Sequence, residues 1–302
     1  MIPSERLKGI EAFVCTADAG SFTAAGLRLN LTNSAVSKSV ARLEARLGHR
    51  LFERTTRRLT LTDAGTAFYG TCVRVLGELA DAEAVLAAHR SEIAGRLKVD
   101  LPVAFGRMRA MPLLLAFADA HPNLRPHITF TDRMVDIVEE GIDVAVRIGA
   151  SAGWADDLGA RCLGSEHVIF CAAPAYLDRR GTPASADDLA RFDCILYGRA
   201  DGSTIGWRFA DDTAGPRSRT MDGRMILGSA EAQVGAVKAG FGIAQLATWL
   251  IEAELDRGEL VEILPASATT GLPLHLVWPR SRQLSPKVDA LLATLTTGLR
   301  ID

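Results

Sequence analysis

Residues 21–47, with the sequence SFTAAGLRLNLTNSAVSKSVARLEARL, decide the fold of the N-terminal region. Ser21 is a good N-cap for a short helix over residues 22–29. Thr32 is a good N-cap for a second helix that ends at Leu47. Apolar residues of this second helix recur at intervals of 4, 3 and 4 and predict one buried stripe, formed by Val36, Val40, Leu43 and Leu47. Two such helices, joined by a short turn, are typical of a helix-turn-helix.

The opposite face of the second helix is polar and basic, and a helix-turn-helix places the start of that helix in the DNA major groove. Asn can pair with adenine, Lys with guanine, and Ser with either base or with phosphate. The alternative is a polar face that is only solvated. We predict that eight residues of this motif contact DNA: Ser21, Thr23, Thr32, Asn33, Ser34, Ser37, Lys38 and Arg42.

The segment after the helix-turn-helix, residues 51–61, is LFERTTRRLTL. It predicts two short strands around an Arg-rich tip, which is the wing of a winged helix-turn-helix. Cations at such a tip bind phosphates, and these contacts position a protein on DNA without reading its sequence. We therefore add four residues to the predicted DNA contacts: Arg54, Thr55, Arg57 and Arg58.

Charge is distributed unevenly along the 302 residues. The net charge of the whole chain is only -2, which by itself argues against nucleic acid as a partner. Residues 1–62, however, carry 10 Lys and Arg against 5 acids, while residues 63–94 have a net charge of -3 and residues 95–302 one of -4. This asymmetry favours a small nucleic-acid module joined to an acidic body, and the length agrees with two or three domains.

A long helix is predicted over residues 63–91, with Thr62 and Asp63 at its start. Its apolar positions alternate at intervals of 4 and 3, the average spacing of a two-helix seam. The seam consists of Phe68, Cys72, Val75, Leu79, Ala82 and Leu86. It predicts self-association, with packing against the chain's own C-terminal domain as the alternative.

From Gly95 onward, strand patterns alternate with helix patterns, which predicts an α/β sheet. Strands are expected near residues 97–101, 142–148, 168–172, 194–197, 242–245 and 274–277, with one more that ends near Phe130. Helices are expected near residues 111–120, 135–140, 230–239 and 286–299. No membrane-spanning stretch and no signal segment is found in the sequence, so we expect a cytoplasmic protein.

The sequence lacks the motifs that are typical of metal sites, redox sites and the common catalytic sites. The five cysteines have no CxxC spacing, and Cys in apolar runs is usually inert, although redox sensing stays as an alternative. The six histidines form no ligand cluster, and we find no nucleophile elbow, P-loop or HExxH. We therefore expect no metal, no cofactor and no enzyme. The competing interpretation is a solute-binding or metabolic protein with an accessory N-terminal domain.

The ordered motifs of the chain resemble those of the LysR-type transcriptional regulators. In the N-terminal region they are SFTAA at 21–25, SAVS at 34–37, LE at 43–44, LG at 47–48, LFER at 51–54 and LTDAG at 61–65. In the remaining chain they are PVAFG at 102–106, DVAVRIG at 143–149 and LSPKV at 284–288. One departure is Asn33, where many members of that family carry Gln.

The resemblance implies an α/β multidomain protein with a winged helix-turn-helix, a linker helix and a two-lobed effector domain like periplasmic binding proteins. The segments would be residues 1–62, 63–91 and 95–302, with lobe I over about 95–164 and 270–302 and lobe II over about 165–269. Implied partners are promoter DNA with an interrupted inverted repeat, a small-molecule metabolite, RNA polymerase and further copies of the chain, as a dimer or a dimer of dimers. No membrane is implied.

The inducer would bind between the lobes. By resemblance and by their places at strand ends or helix starts, we predict eight residues there: Val103, Ala104, Phe105, Gly106, Thr131, Arg147, Ser229 and Gln245. Ordinary caps and loop positions are the alternative for each. Arg147 is either a ligand arm or a buried structural residue paired with an acid such as Asp143 or Asp132.

Overall fold

The computed structural model describes residues 9–54, 59–86, 93–149, 153–199, 201–210, 217–299 and 301, without the side chains at 54, 78 and 80–86. The chain divides into two compact units, Met1–Ser91 and Glu92–Asp302, called here the head and the body. Among the described helices, none combines the length and apolar character needed to cross a membrane.

The described part of the head contains four helices and a hairpin: α1 (Ile10–Ala19), α2 (Phe22–Leu29), α3 (Asn33–Leu47), β1 (Phe52–Arg54), β2 (Leu59–Leu61) and α4 (Asp63–Leu86). The predicted caps are present, because the Ser21 hydroxyl accepts the Ala24 N–H at 3.1 Å and the Thr32 hydroxyl accepts the Ala35 N–H at 3.2 Å. Helix α3 ends at Gly48, whose φ of 71° is the left-handed conformation that favours glycine.

The head has its own hydrophobic core. The predicted stripe of α3 is confirmed in its first three members, since Val36, Val40 and Leu43 are buried, and Leu47 is packed against them at the edge. Phe13 of α1 is fully buried and its ring meets those of three other aromatic residues, Phe52, Phe68 and Tyr69. The core therefore joins α1 and α3 to the hairpin and to the first turns of α4.

Eleven strands lie among the described residues of the body: β3 (Gly95–Leu101), β4 (Leu124–Phe130), β5 (Val144–Ile148), β6 (Leu158–Ala172), β7 (Ile195–Tyr197), β8 (Trp207–Phe209), β9 (Arg217–Arg219), β10 (Met225–Leu227), β11 (Ala244–Ala247), β12 (Val261–Ile263) and β13 (Thr269–Pro279). Its α-helices are α5 (Val103–Phe105), α6 (Met111–Ala120), α7 (Pro174–Arg180), α8 (Ala230–Lys238), α9 (Thr248–Asp256) and α10 (Pro286–Gly298). A π-helical segment, Gly106–Ala110, connects α5 to α6.

Two long strands unite the body. Seven strands form one sheet in the order β11-β6-β13-β5-β3-β4, and β12 also pairs with β6. The early part of β6 and the late part of β13 lie in one half of the sheet, together with β5, β3 and β4. The late part of β6 and the early part of β13 lie in the other half, together with β11 and β12. The chain thus crosses twice between two α/β halves, which makes a two-lobed body.

One predicted helix is wrong. Residues 137–141 form a turn instead, and the Asp136 carboxylate before it accepts the N–H groups of Val138 and Glu139 at 2.9 and 2.8 Å. Gly141, with φ 65°, then ends the segment after a single turn. The apolar spacing matched a helix, but Asp136 and Gly141 confine it to one turn.

Candidate functional sites

The outer face of α3 presents its polar side chains to solvent. Asn33, Ser34, Lys38 and Arg42 are exposed and Ser37 is half-buried. Several of them line a shallow concavity of about 320 Å³, formed by Thr32, Ser34, Ala35, Lys38, Ser39 and Arg42. Ser39 was missed from the sequence. Ser39 lies three positions before the predicted contact Arg42, and this helical spacing places both residues on the same face.

Four of the predicted DNA contacts also have structural partners: Ser21, Thr23, Thr32 and Asn33. The hydroxyls of Ser21 and Thr32 cap α2 and α3, so each already accepts a backbone N–H. Thr23 lies on α2, and its Oγ1 accepts a hydrogen bond from Nδ2 of Asn33 on α3 at 3.2 Å. The structure therefore links two predicted contact residues from different helices.

The wing begins as predicted and is held to α3 by Glu44. Strands β1 and β2 pair antiparallel, with Phe52 opposite Leu61. Oε1 of Glu44 accepts the N–H groups of Leu51 and Phe52 at 2.8 and 3.2 Å, a role that the sequence did not reveal. The predicted tip residues Thr55, Arg57 and Arg58 lie outside the described residues, as does the Arg54 side chain.

The predicted seam of α4 begins inside the head. Cys72 is 1% exposed in the head core, and burial raises its pKa to about 11. Phe68 packs against the same core, and Val75 is half-buried. Leu79 is 45% exposed, while the side chains of Ala82 and Leu86 lie outside the description. The first part of the seam therefore packs against α1 and the hairpin, and exposure begins near Leu79.

A carboxylate bridges the two lobes at the start of α5. Oδ1 of Asp132, which follows β4, accepts the N–H of Val103 at 2.9 Å. From the other lobe, the hydroxyl of Tyr197 at the end of β7 donates to Oδ2 of Asp132 at 3.4 Å. Burial and the Asp132 carboxylate raise the pKa of Tyr197, so the phenol stays protonated and keeps donating. Neither residue was predicted for the effector site.

The other predicted residues near α5 are mostly buried. Ala104, Phe105 and Gly106 form part of the body core. A Cβ on Gly106 would lie 2.5 Å from Cβ of Leu101, so glycine permits the close packing of the π-helical segment on β3. The Thr131 hydroxyl accepts the Arg133 N–H at 3.1 Å and shapes the turn after β4.

Arg147 and Asp100 form a buried ion pair. Arg147 is 4% exposed, and its Nη1 lies 2.7 Å from Oδ2 of Asp100, which also bonds to Thr129. The suggested partners were wrong, because Asp143 binds Arg282 and Asp132 caps α5. Asp100 lies on the neighbouring strand β3, a pairing that only the sheet register reveals.

Two more predicted residues have structural contacts in the second lobe. The Ser229 hydroxyl accepts the Ala232 N–H at 3.3 Å and caps α8. The Gln245 amide bonds twice to the backbone of Arg208, accepting from its N–H at 2.7 Å and donating to its carbonyl at 2.5 Å. Gln245 therefore joins β11 to β8.

The cysteines are all free thiols. Cys162 is exposed, and burial raises the pKa of Cys171 to about 12 and that of Cys194 to about 11. Among the residues that the structure describes, no group of three or more His, Cys, Asp and Glu side chains is placed to hold a metal ion.

Two family models match the chain and together span most of it. The bacterial regulatory helix-turn-helix model of the lysR family matches residues 7–66, and the LysR substrate binding domain model matches residues 90–300. The chain belongs to the LysR family. The predicted fold class is thereby confirmed, with a winged helix-turn-helix followed by a two-lobed effector domain.

Similar proteins agree with this assignment. An uncharacterized HTH-type transcriptional regulator of Haemophilus influenzae is 32% identical, covering 95% of this chain and 98% of its own. The HTH-type transcriptional regulator PtxR of Pseudomonas aeruginosa is 33% identical, with 97% and 93% covered. The solved structure of CrgA from Neisseria meningitidis, a LysR-type transcriptional regulator, is 29% identical with a TM-score of 0.60, covering 96% of this chain and 97% of that one.

Membership assigns a general activity. LysR proteins are transcriptional regulators rather than enzymes; they bind DNA and small-molecule effectors, and they oligomerise. The chain is accordingly a DNA-binding LysR-family regulator with an effector-binding domain.

Proposed function

We propose that residues 1–62 bind a promoter with an interrupted inverted repeat, with the start of α3 in a major groove and the wing on the backbone. The observation that carries this is the division of α3 into a buried apolar face and an exposed face with Lys38 and Arg42. The acid on the same helix, Glu44, binds the backbone at the root of the wing. The exposed face therefore offers cations and neutral donors to a polyanion.

The test is binding of the full chain to a promoter-length duplex, measured by fluorescence anisotropy at increasing salt. We expect log Kd to rise linearly with log salt, and Lys38→Ala with Arg42→Ala to lower the slope by about 2 if both residues bind phosphate. Arg125→Ala, which removes an exposed cation of the body, is the control and should leave the slope unchanged. The competing solute-binding interpretation predicts no binding at physiological salt.

We propose that residues 63–91 form the dimerisation helix. Leu79 supports this, because it is 45% exposed and follows the packed Phe68 and Cys72 on the same seam, where a second helix could bury it. Leu79→Asp should convert the dimer to monomer on size exclusion, whereas Thr71→Asp, an exposed position beside the seam, should not. A Leu79→Asp protein that stays fully dimeric contradicts the proposal.

We propose that residues 95–302 bind a small metabolite between lobe I and lobe II. The bridge from Val103 through Asp132 to Tyr197 supports this, since it spans the place where strand ends of both lobes meet. An effector that prefers one lobe arrangement would shift the population of assembly shapes and so the bending of promoter DNA. A thermal-shift screen of metabolites identifies candidate effectors. A candidate is refuted if the footprint of the protein on promoter DNA is unchanged at a saturating concentration of that metabolite.

We propose further that the protein acts in the cytoplasm as a dimer of dimers and contacts RNA polymerase at its promoter. The family's oligomerisation and its DNA target support this assembly. Sedimentation of the full chain with and without a duplex of two half-sites measures the number of copies bound. A single dimer occupying both half-sites would contradict the dimer of dimers.

A further inference from the structure

We propose that Thr23 is a positioning residue for Asn33: it holds the Asn33 amide so that the pair selects adenine in the major groove. The inference rests on the proposed placement of α3 in that groove. It adds a base preference and a residue that controls it.

The carrying observation is the hydrogen bond from Asn33 Nδ2 to Thr23 Oγ1, 3.2 Å long. Thr23 stands in the first turn of α2 and Asn33 in the first turn of α3, and both are exposed. The bond therefore spans the helix-turn-helix on its solvent side. Neither partner is needed to bury the other, so the contact contributes little to the core.

Two helix caps and a hydrogen bond in the turn hold the backbone on which Thr23 and Asn33 stand. Ser21 caps α2 and Thr32 caps α3, and the Leu31 N–H donates to the Gly26 carbonyl at 2.9 Å. A Cβ on Gly26 would lie 2.7 Å from the Leu31 carbonyl oxygen, so the turn packs tightly against the end of α2. The distance between Thr23 and Asn33 is thus set by the turn.

The orientation of the amide determines which base edge it matches. An Asn side chain has two N–H donors and one carbonyl acceptor. With one N–H on Thr23, the second N–H and Oδ1 of Asn33 remain for DNA. One donor beside one acceptor complements adenine, which presents N7 and the N6 amino group, whereas guanine presents two acceptors. If the amide were reversed, Oδ1 would accept from the Thr23 hydroxyl, and both N–H groups of Asn33 would face the DNA. Two donors match the two acceptors of guanine.

Thr23 also reduces the freedom that Asn33 would lose on binding. A side chain held in its bound rotamer has less conformational entropy to lose when a partner arrives. This benefit applies to the correct base, because the wrong base leaves Oδ1 or the second N–H unpaired. Loss of Thr23 should therefore affect discrimination more than general affinity for DNA.

The experiment is selection of binding sites from random duplex DNA by the full chain, with sequencing of the bound pool. The variants are Thr23→Val, which keeps the shape and removes the acceptor, Thr23→Ser, which keeps the hydroxyl, Asn33→Ala and the Thr23→Val/Asn33→Ala double variant. We expect the wild type to prefer adenine at one position per half-site, and Asn33→Ala to lose that preference, about 5- to 150-fold. Thr23→Val should weaken it about threefold or more, Thr23→Ser should retain it, and the double variant should equal Asn33→Ala.

Several results would overturn the proposal. One is a Thr23→Val pool identical to the wild-type pool at the position that Asn33→Ala changes. Another is an Asn33-dependent preference for guanine, since that requires the opposite amide orientation. A third is equal weakening of Thr23→Val on selected and random duplexes, which indicates a phosphate contact. A wild-type protein that binds DNA but shows no Asn33-dependent position refutes the placement of α3 itself, and a protein that binds no DNA refutes the proposed function.

Discussion

The head and the body differ in how their predicted functional residues are used by the fold. On α3 of the head, Ser34, Lys38 and Arg42 stand on an exposed face whose opposite side is core. In the body, Arg147 is buried in an ion pair and Gln245 is bonded to the backbone of another strand. A DNA surface needs one exposed helix face. The polar residues predicted for the effector site instead all bond to other groups of the body: Thr131, Arg147, Ser229 and Gln245.

The largest expected effect concerns the buried pair of the body. Arg147→Ala should lower the free energy of unfolding of the body by about 3–5 kcal/mol, because Asp100 is left as a buried charge without its partner. Urea unfolding measures this. The Asp100→Leu/Arg147→Met double variant removes both charges and should recover most of the loss. A loss below about 1 kcal/mol for Arg147→Ala would show that the fold does not depend on the pair.

The second prediction contrasts the two faces of the head. Phe13→Ala should cost about 3–5 kcal/mol, because Phe13 is fully buried among aromatic rings. Asn33→Ala, on the exposed face, should change stability by less than about 0.5 kcal/mol. Thermal unfolding of the two variants compares them directly. An equal loss of stability in the two variants would mean that the exposed face of α3 also stabilises the fold.

The third prediction concerns Ser21 and Thr32, which cap helices and which the sequence also predicts to contact DNA. Ser21→Ala and Thr32→Ala should each cost about 1 kcal/mol, since each removes an N-cap acceptor. Ser34→Ala is the control, because this exposed residue follows the cap of the same helix. If the cap variants weaken DNA binding only in proportion to the unfolded fraction, their hydroxyls serve the fold alone.

The smallest expected effect is a pH dependence within the body. Burial raises the pKa of Glu166 above its ordinary 4.5, although Trp249 and Leu272 donate to its carboxylate. Between 4.5 and the raised value the folded state binds more protons than the unfolded state, so stability from this group falls as pH rises. Denaturation of wild type and Glu166→Gln should be compared across this pH range. The free energy of unfolding of the wild type should fall relative to that of Glu166→Gln as pH increases. A pH-independent difference between the two would contradict the shift.

Much of the head could be predicted because its order is local. Caps, turn length and the spacing of Val36, Val40 and Leu43 all belong to one continuous stretch, and each helix formed where those patterns placed it. The helix expected over residues 135–140 failed for a local reason too, since Asp136 offers its carboxylate to the backbone. Apolar spacing alone does not reveal that a side chain competes with the helix for backbone N–H groups.

The sequence by itself determined the chain's modular order, the polar face of α3 and the family, because these depend on contiguous motifs and on charge along the chain. Only the tertiary structure decided that Arg147 pairs with Asp100, that Asp132 reaches Tyr197 across the lobes, and that Thr23 receives the Asn33 amide. Each of these contacts joins residues from different elements. Their distance depends on sheet register and helix packing, which no single stretch of sequence specifies.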